Sequence, residues 1–257
     1  MSTDEGSGSV VREPRNQSRA DRQQFERMGE LFMSADGELA DRIDAFPKFA
    51  SRQAIAKFLA RAQIFQHVLD VHGSVIECGV LHGAGLFTFA KLSAILEPTN
   101  HTRRIIGFDT FQGFVAVADV DRGGASPHSV EGGLVGSSVS DVARAIDVFD
   151  LNRPLSHIPK IELVEGDLRA TAPTYVEAHP ALVVALLYLD VDLYEPTRAA
   201  IEAFLPRMPR GAVIAFDELH AEIFPGETQA VVETLGLGQL RLRRFPYEPY
   251  VSYAVIE

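Results

Sequence analysis

The sequence predicts an α/β fold: a doubly wound sheet of seven strands, with helices ahead of the first strand in the chain. Three observations predict it. From residue 74 onward, short apolar runs alternate with amphipathic helical stretches, as in successive βαβ units. Two of the runs, 181–189 and 211–216, are apolar position after position, as strands buried on both faces are, and both end in acid. The last two runs, 240–245 and 250–256, are joined by a short turn containing Pro246 and Pro249, which suggests a closing antiparallel hairpin.

At 257 residues and 46% apolar composition, the chain can bury a substantial core in one domain. Its formal net charge of −11 works against nucleic acid phosphates and anionic membrane surfaces alike, and favours a small substrate. Cys78 is the only cysteine, so neither an intrachain disulfide nor a cysteine-based zinc site is available. No apolar run approaches membrane-spanning length, and the N-terminal residues lack a signal peptide's apolar core. A soluble, cytoplasmic protein is expected.

Residues 1–20 are rich in Ser, Gly, Arg, Asn and Gln and read as a flexible arm, with a single domain over 21–257. Phe25, Met28, Leu31 and Phe32 recur at helical spacing over 21–34. A longer stripe through Ile55, Phe58, Leu59, Ala62, Phe65, Val68 and Leu69 predicts a helix over 51–71. These helices are candidates to cap a site, to pack on the sheet or to carry a contact between copies. The stretch 36–49 is too mixed to assign.

The first strand leads through Glu77-Cys78-Gly79-Val80-Leu81-His82-Gly83-Ala84-Gly85 into a helix over 86–96. Glycines let backbone approach a ligand closely, and the helix start beyond them offers unpaired N–H groups. The second strand, 104–108, ends at Asp109-Thr110, where a carboxylate can accept from ribose hydroxyls. Together these features make a nucleoside site, with Glu77, Cys78, Gly79, Gly83, Asp109 and Thr110 as its candidates. The glycine spacing differs from the Gly-x-Gly-x-x-Gly of dinucleotide binders, and Glu77 beside the turn is unfavourable to a pyrophosphate. A cationic ligand suits it better, and S-adenosylmethionine carries a sulfonium and no phosphate.

Residues 115–138 form a long irregular stretch, expected to be a lid, with Gly123-Gly124 and Gly132-Gly133 as candidate hinges. A helix over 139–149 and a third strand over 161–165 follow. The strand ends at Gly166-Asp167, where Asp167 can accept from an adenine amino group or simply serve a turn. The fourth strand ends in Asp190-Val191-Asp192, and the period of two predicts that both carboxylates point the same way. A helix over 197–205 precedes the fifth strand, which ends in Asp217-Glu218. If the two strands are neighbours, three or four carboxylates converge, and like charges that close call for a divalent cation with oxygen ligands. The alternative is a pair of helix caps, since Asp is favoured there. After Phe224-Pro225-Gly226, a helix is expected over 227–235, ahead of the closing hairpin.

Val75-Ile76-Glu77-Cys78-Gly79-Val80, Gly107-Phe108-Asp109-Thr110-Phe111-Gln112-Gly113-Phe114, Leu189-Asp190-Val191-Asp192-Leu193-Tyr194-Glu195-Pro196-Thr197 and Phe216-Asp217-Glu218, in this order, resemble the macrocin O-methyltransferase family. The resemblance covers the chain from about Glu77 to the C-terminus. It implies a class I methyltransferase-like, Rossmann-like fold and an enzyme dependent on S-adenosylmethionine and Mg²⁺ that methylates a sugar hydroxyl on an antibiotic. It further implies that Asp190, Asp217 and Glu218 ligate the metal and that Asp192 is the general base. Glu77, Gly79, Asp109 and Asp190 would hold the methyl donor, and Asp167 would meet its adenine. The family commonly has two aspartates at the second acidic strand end, where this chain has Asp217-Glu218. A glycoside substrate and a homo-oligomer are the partners expected.

The proposed chemistry is an in-line displacement in which a hydroxyl loses its proton to a positioned carboxylate. His82 and His220 are the other candidate bases, and Asp192 is preferred on reach. Three other classes compete with the sugar enzyme. A nicotinamide-dependent oxidoreductase would need different glycine spacing and an acid roughly 20 residues beyond the turn, closer than Asp109 is to Glu77. A catechol-type O-methyltransferase differs only in acceptor. A non-catalytic binding protein has no reason to keep acid at both strand ends.

Overall fold

The computed structural model describes residues 18–257 apart from Ala125, and of Arg22 only the backbone; the expected arm therefore lies outside the described residues up to residue 17. Ser18 caps α1 (Arg19–Ser34): its hydroxyl accepts from the Asp21 N–H at 3.2 Å while the Asp21 carboxylate accepts from the Ser18 N–H at 2.8 Å. The stretch left unassigned in the sequence forms two short helices, α2 (Leu39–Asp44) and α3 (Phe46–Phe49). Ser51 accepts from the Ala54 N–H and starts α4 (Arg52–Gln66). Among the described residues, no helix is long and apolar enough to cross a membrane.

The sheet has the seven expected strands: β1 (Ser74–Cys78), β2 (Ile105–Asp109), β3 (Ile161–Glu165), β4 (Val184–Leu189), β5 (Val213–Phe216), β6 (Arg243–Phe245) and β7 (Glu248–Val255). Their order is β3-β2-β1-β4-β5-β7-β6. The first five are parallel, and β7 runs antiparallel to both β5 and β6. The closing hairpin is therefore present, though β6 is only the last part of the run expected over 240–245. The strand order reverses between β1 and β4, so the carboxyl ends of these two strands border the crevice where ligands bind in open α/β sheets.

The helices between the strands are α5 (Ala84–Leu96), the single-turn α6 (Asp119–Arg122), α7 (Val139–Asp150), α8 (Leu168–Ala178), α9 (Tyr194–Phe204) and α10 (Pro225–Thr234). Side-chain alternation along β4 divides the core. Leu186 and Tyr188 face a layer built by Ile64 and Phe65 of α4, Phe89 of α5 and Phe149 of α7. Leu187 and Leu189 face Leu168 of α8, Ile201 and Phe204 of α9 and Val231 of α10. Helix α4 stops at Gln66, short of the expected 71, and two further elements depart from the sequence reading. Helix α8 has no counterpart in the sequence reading, and it forms although Pro173 lies within it and cannot donate to the preceding turn; Asp167 starts it by accepting from the Arg169 N–H at 3.0 Å. Helix α9 begins at Tyr194 rather than at residue 197 because its first N–H is held at 3.0 Å by Asp121, a residue of the distant 115–138 segment.

Candidate active site

The glycine turn after β1 is held by the end of β2. Asp109 Oδ2 accepts from the N–H groups of Val80 (2.7 Å) and Leu81 (2.9 Å), and Oδ1 accepts from Phe111 N–H (2.7 Å). Leu81 and Phe111 both have positive φ, at 51° and 55°, which this carboxylate brace makes tolerable. Gly79 lies so close to β4 that an added Cβ would stand 1.8 Å from the Asp190 carbonyl oxygen, and the Cys78 carbonyl accepts from the Asp190 N–H at 2.8 Å. Gly83, at φ 82°, starts α5. Thr110 closes the neighbouring turn by donating its hydroxyl to the Gly113 carbonyl at 2.6 Å. Glu77 is sealed beneath the first turn of α5, where Gly85 leaves room for its carboxyl, and Arg61 lies beside it. Asp167, besides capping α8, is paired with Arg169 at the surface.

The two acidic strand ends are neighbours, as the sequence required for a shared cluster: Leu189 pairs with Phe216, and the Asp217 N–H donates to the Leu189 carbonyl at 2.9 Å. Alternation carries Asp190 and Asp217 onto the face of the sheet covered by α4, where that helix presents two cations one turn apart. Lys57 Nζ contacts Asp217 Oδ2 and lies 4.0 Å from Glu218 Oε1. An Arg61 guanidinium nitrogen is 3.0 Å from Asp190 Oδ2 and 3.7 Å from Asp217 Oδ1, and its plane lies over the Tyr188 ring, 5.1 Å from the centroid. The Tyr188 hydroxyl donates to Asp217 Oδ1 at 2.6 Å. Asp192 is reached differently from the period-two expectation, because β4 stops at Leu189 and the chain turns through Asp192 at φ 62°. Its carboxyl is nevertheless buried within the influence of Asp190 and Asp217. His82 and His220 are exposed; His82 meets the Ser137 hydroxyl at 3.1 Å.

Electrostatics sort these carboxylates. Burial raises Asp217, but Lys57, Arg61 and the Tyr188 hydroxyl more than offset it and hold the group below the ordinary carboxylate range. Burial and then the Asp217 charge push Asp190 up to about 6 and Glu218 up to about 10. Burial, reinforced by Asp190 and Asp217, holds Asp192 well above its ordinary value. Glu218 Oε2 and Glu227 Oε2 are buried without a hydrogen-bond partner. Oxygen-only ligands with orphaned buried atoms are the chemistry a hard divalent cation requires. Among the described residues, however, no three such side chains converge closely enough to hold one as they stand. Lys57 occupies the position between Asp217 and Glu218.

Glu227 was not singled out in the sequence. It is fully buried on α10, and its Oε1 accepts from the Glu218 N–H at 3.1 Å. Burial, then Asp192 and Asp217, raise its carboxyl far above 4.5. A raised acid contributes stability that is complete below its unfolded value and is lost as pH rises through its folded value. Glu227→Gln mimics the neutral acid, so its melting temperature should match the parent near pH 4 and exceed it increasingly above about pH 5. Melting curves that stay parallel across a pH series would contradict this.

Lys57 and Arg61 were missed as well. A signal was present: with Ile64 and Val68 they follow helical spacing, so two cations stand in an apolar stripe. Tyr188 gave no sign, since an aromatic inside a buried strand reads as core.

The described residues of the 115–138 segment pack against the glycine turn and against one another. Ser137 N–H donates to the Leu81 carbonyl at 2.9 Å, Gly132 N–H donates to Phe114 and Phe114 N–H to Gly133. An added Cβ at Gly124 or Gly133 would strike the Ile223 or His128 carbonyl at 2.4 or 2.0 Å, so these two glycines serve close packing.

A seven-stranded sheet of this order, with a braced glycine turn after β1 and acid at the ends of β4 and β5, is that of a class I methyltransferase fold. The chain belongs to the macrocin-O-methyltransferase (TylF) family, whose sequence model matches residues 52–233, and is an O-methyltransferase. Among solved structures it is similar to CalS11, a calicheamicin methyltransferase, with 34% identity, a TM-score of 0.90 and coverage of 96% of this chain and 97% of that one. A second, apo structure of CalS11, described as a TDP-rhamnose 3′-O-methyltransferase of calicheamicin biosynthesis, aligns at 32% identity and a TM-score of 0.80 over 93% and 95% of the two chains. The O-methyltransferase NovP shares the fold at 20% identity and a TM-score of 0.62, over 79% of this chain and 80% of that one. No curated protein matches the sequence. Family membership sets aside the nicotinamide-dependent oxidoreductase and the non-catalytic binding protein.

Proposed function

We propose that this enzyme methylates a hydroxyl of a sugar in the biosynthesis of a glycosylated antibiotic, using S-adenosylmethionine as donor and Mg²⁺ as metal. The observation that carries the reading is the adjacency of two sites: the glycine turn after β1, braced by Asp109, and the carboxylates at the ends of β4 and β5, the next two strands of the sheet. The sugar acceptor is supported by the 34% identity to CalS11 over nearly the whole chain.

When bound, the donor supplies an electrophilic methyl group and the metal a Lewis acid that makes a coordinated hydroxyl easier to deprotonate. Glu77, Cys78, Gly79, Gly83, Asp109, Thr110 and Asp167 would line the donor's place, with Asp190 between donor and metal. Asp190, Asp217 and Glu218 would be the metal's ligands. Asp192, buried beside the proposed metal ligands, would accept the hydroxyl proton on its carboxylate. Arg61 and Tyr188 keep Asp190 and Asp217 oriented. The packed 115–138 segment excludes water from the nucleophile.

The test is incubation of the protein with S-adenosylmethionine and TDP-rhamnose, a rhamnoside or a diphenol, with Mg²⁺ or with a chelator. Methylation of the sugar that the chelator stops supports the reading. Methylation of the diphenol alone would make this a catechol-type enzyme, and no transfer to any sugar tried, with the donor left unbound, would end the proposal.

Phe25, Leu31, Met33, Leu39, Ile43 and Phe46 of α1–α3 are exposed, and a second copy covering them is the homo-oligomer we expect. Light scattering should report a dimer or larger for the parent chain and a monomer for Met33→Glu/Ile43→Glu; a monomeric parent would refute it. The single, buried cysteine supports a cytoplasmic setting, which export of the tagged chain would contradict.

A further inference from the structure

Five carboxylates, Asp190, Asp192, Asp217, Glu218 and Glu227, gather at the ends of β4 and β5 and the start of α10, and the two cations among them come from α4. The two cations are held differently. Arg61 is walled in: its side chain is 8% exposed, it bonds Asp190, and it stacks over Tyr188. Lys57 is 33% exposed and reaches Asp217 and Glu218 from the open side of the cluster on a flexible four-carbon stem. Beside it, Glu218 Oε2, on a residue only 8% exposed, is left without a partner. A single ammonium offers three donors and cannot satisfy ligands arranged for a cation of higher charge.

We infer that Lys57 is a tethered stand-in for the divalent cation: its Nζ fills the place between Asp217 and Glu218 and is displaced into solvent when the metal binds. This inference rests on the metal-dependent reading above. The ammonium keeps its charge as it leaves, so the lysine itself gives up no proton in the exchange. Two consequences follow. The lysine holds the ligand carboxylates together in the metal-free protein, and it sets the metal concentration needed to load the site. Arg61, buried and fixed from both sides, stays in place and keeps Asp190 oriented through the exchange.

The experiment titrates the full chain with Mn²⁺, reading free Mn²⁺ by electron paramagnetic resonance, with Mg²⁺ as competitor, alongside melting curves in a chelator. Lys57→Gln should bind Mn²⁺ at least about ten-fold more tightly than the parent, melt lower in chelator, and gain more from added metal. Lys57→Arg, which keeps the charge, should bind like the parent. Lys57→Met repeats the test without a polar side chain, should the glutamine fold poorly. Equal or weaker Mn²⁺ binding by Lys57→Gln and Lys57→Met, with the parent binding normally, overturns the inference and leaves the metal reading standing. Absence of Mn²⁺ binding in every protein, Lys57→Gln included, overturns both.

Discussion

Asp192→Asn is expected to lower turnover by about 10²–10⁴-fold, the range for a lost general base, while binding of S-adenosylmethionine is unchanged. The amide keeps the shape of the carboxylate and cannot take the hydroxyl proton. Its place in the fold makes Asp192 costly to keep for structural reasons alone. It is 8% exposed, its carboxyl is surrounded by acids, and its backbone sits at φ 62°, a conformation worth on the order of 1 kcal/mol of strain for a residue with a Cβ. Asp192→Gly removes both the strain and the buried acid, so it should melt no lower than the parent while also losing turnover. Single-turnover rates, donor titrations and melting curves on the two variants check this. Turnover by Asp192→Asn within a few-fold of the parent would move the base elsewhere, with His82 and His220 next in line.

Gly79→Ala should destabilise the protein by about 3–5 kcal/mol, the sum of a disfavoured φ and an overpacked contact that has no flexible atom to yield. The φ is 92°, and the new Cβ would stand 1.8 Å from the Asp190 carbonyl oxygen and 2.7 Å from its carbon, both backbone atoms of a buried neighbouring strand end. Relief requires the ends of β1 and β4 to part, which breaks the 2.8 Å bond from Asp190 N–H to Cys78 and moves the Asp190 carboxylate away from Arg61. Gly132→Ala is the control: φ is 75°, but nothing lies within 4 Å of the added Cβ, so the cost should be about 1 kcal/mol. Urea denaturation separates the two cases, and a Gly79→Ala protein as stable as Gly132→Ala would show that the strand ends yield freely.

The fold was largely legible in the sequence because its strands are buried on both faces or bounded by Gly, Asp and Pro, and such signals are local. The misplacements share a cause. Helix α9 starts at Tyr194 because Asp121, far away in sequence, accepts its first N–H, and α8 tolerates Pro173 because Tyr175 and Ala172 pack into the core on either side of it. Neither fact is written near the residues concerned.

By itself the sequence determined which strands end in glycine and which in acid, and therefore that the glycine turn, Asp109 and the pair Asp190 and Asp217 share one end of the sheet. Strand order follows from a few topological rules, and side-chain alternation then aims those groups. Only the tertiary structure decided what faces them. Whether Lys57 and Arg61 lie against the carboxylates depends on how α4 docks across the ends of β4 and β5, a packing of Ala60, Ile64 and Phe65 against the sheet. That docking angle is set by side chains from many elements at once, and no local pattern in the chain contains it.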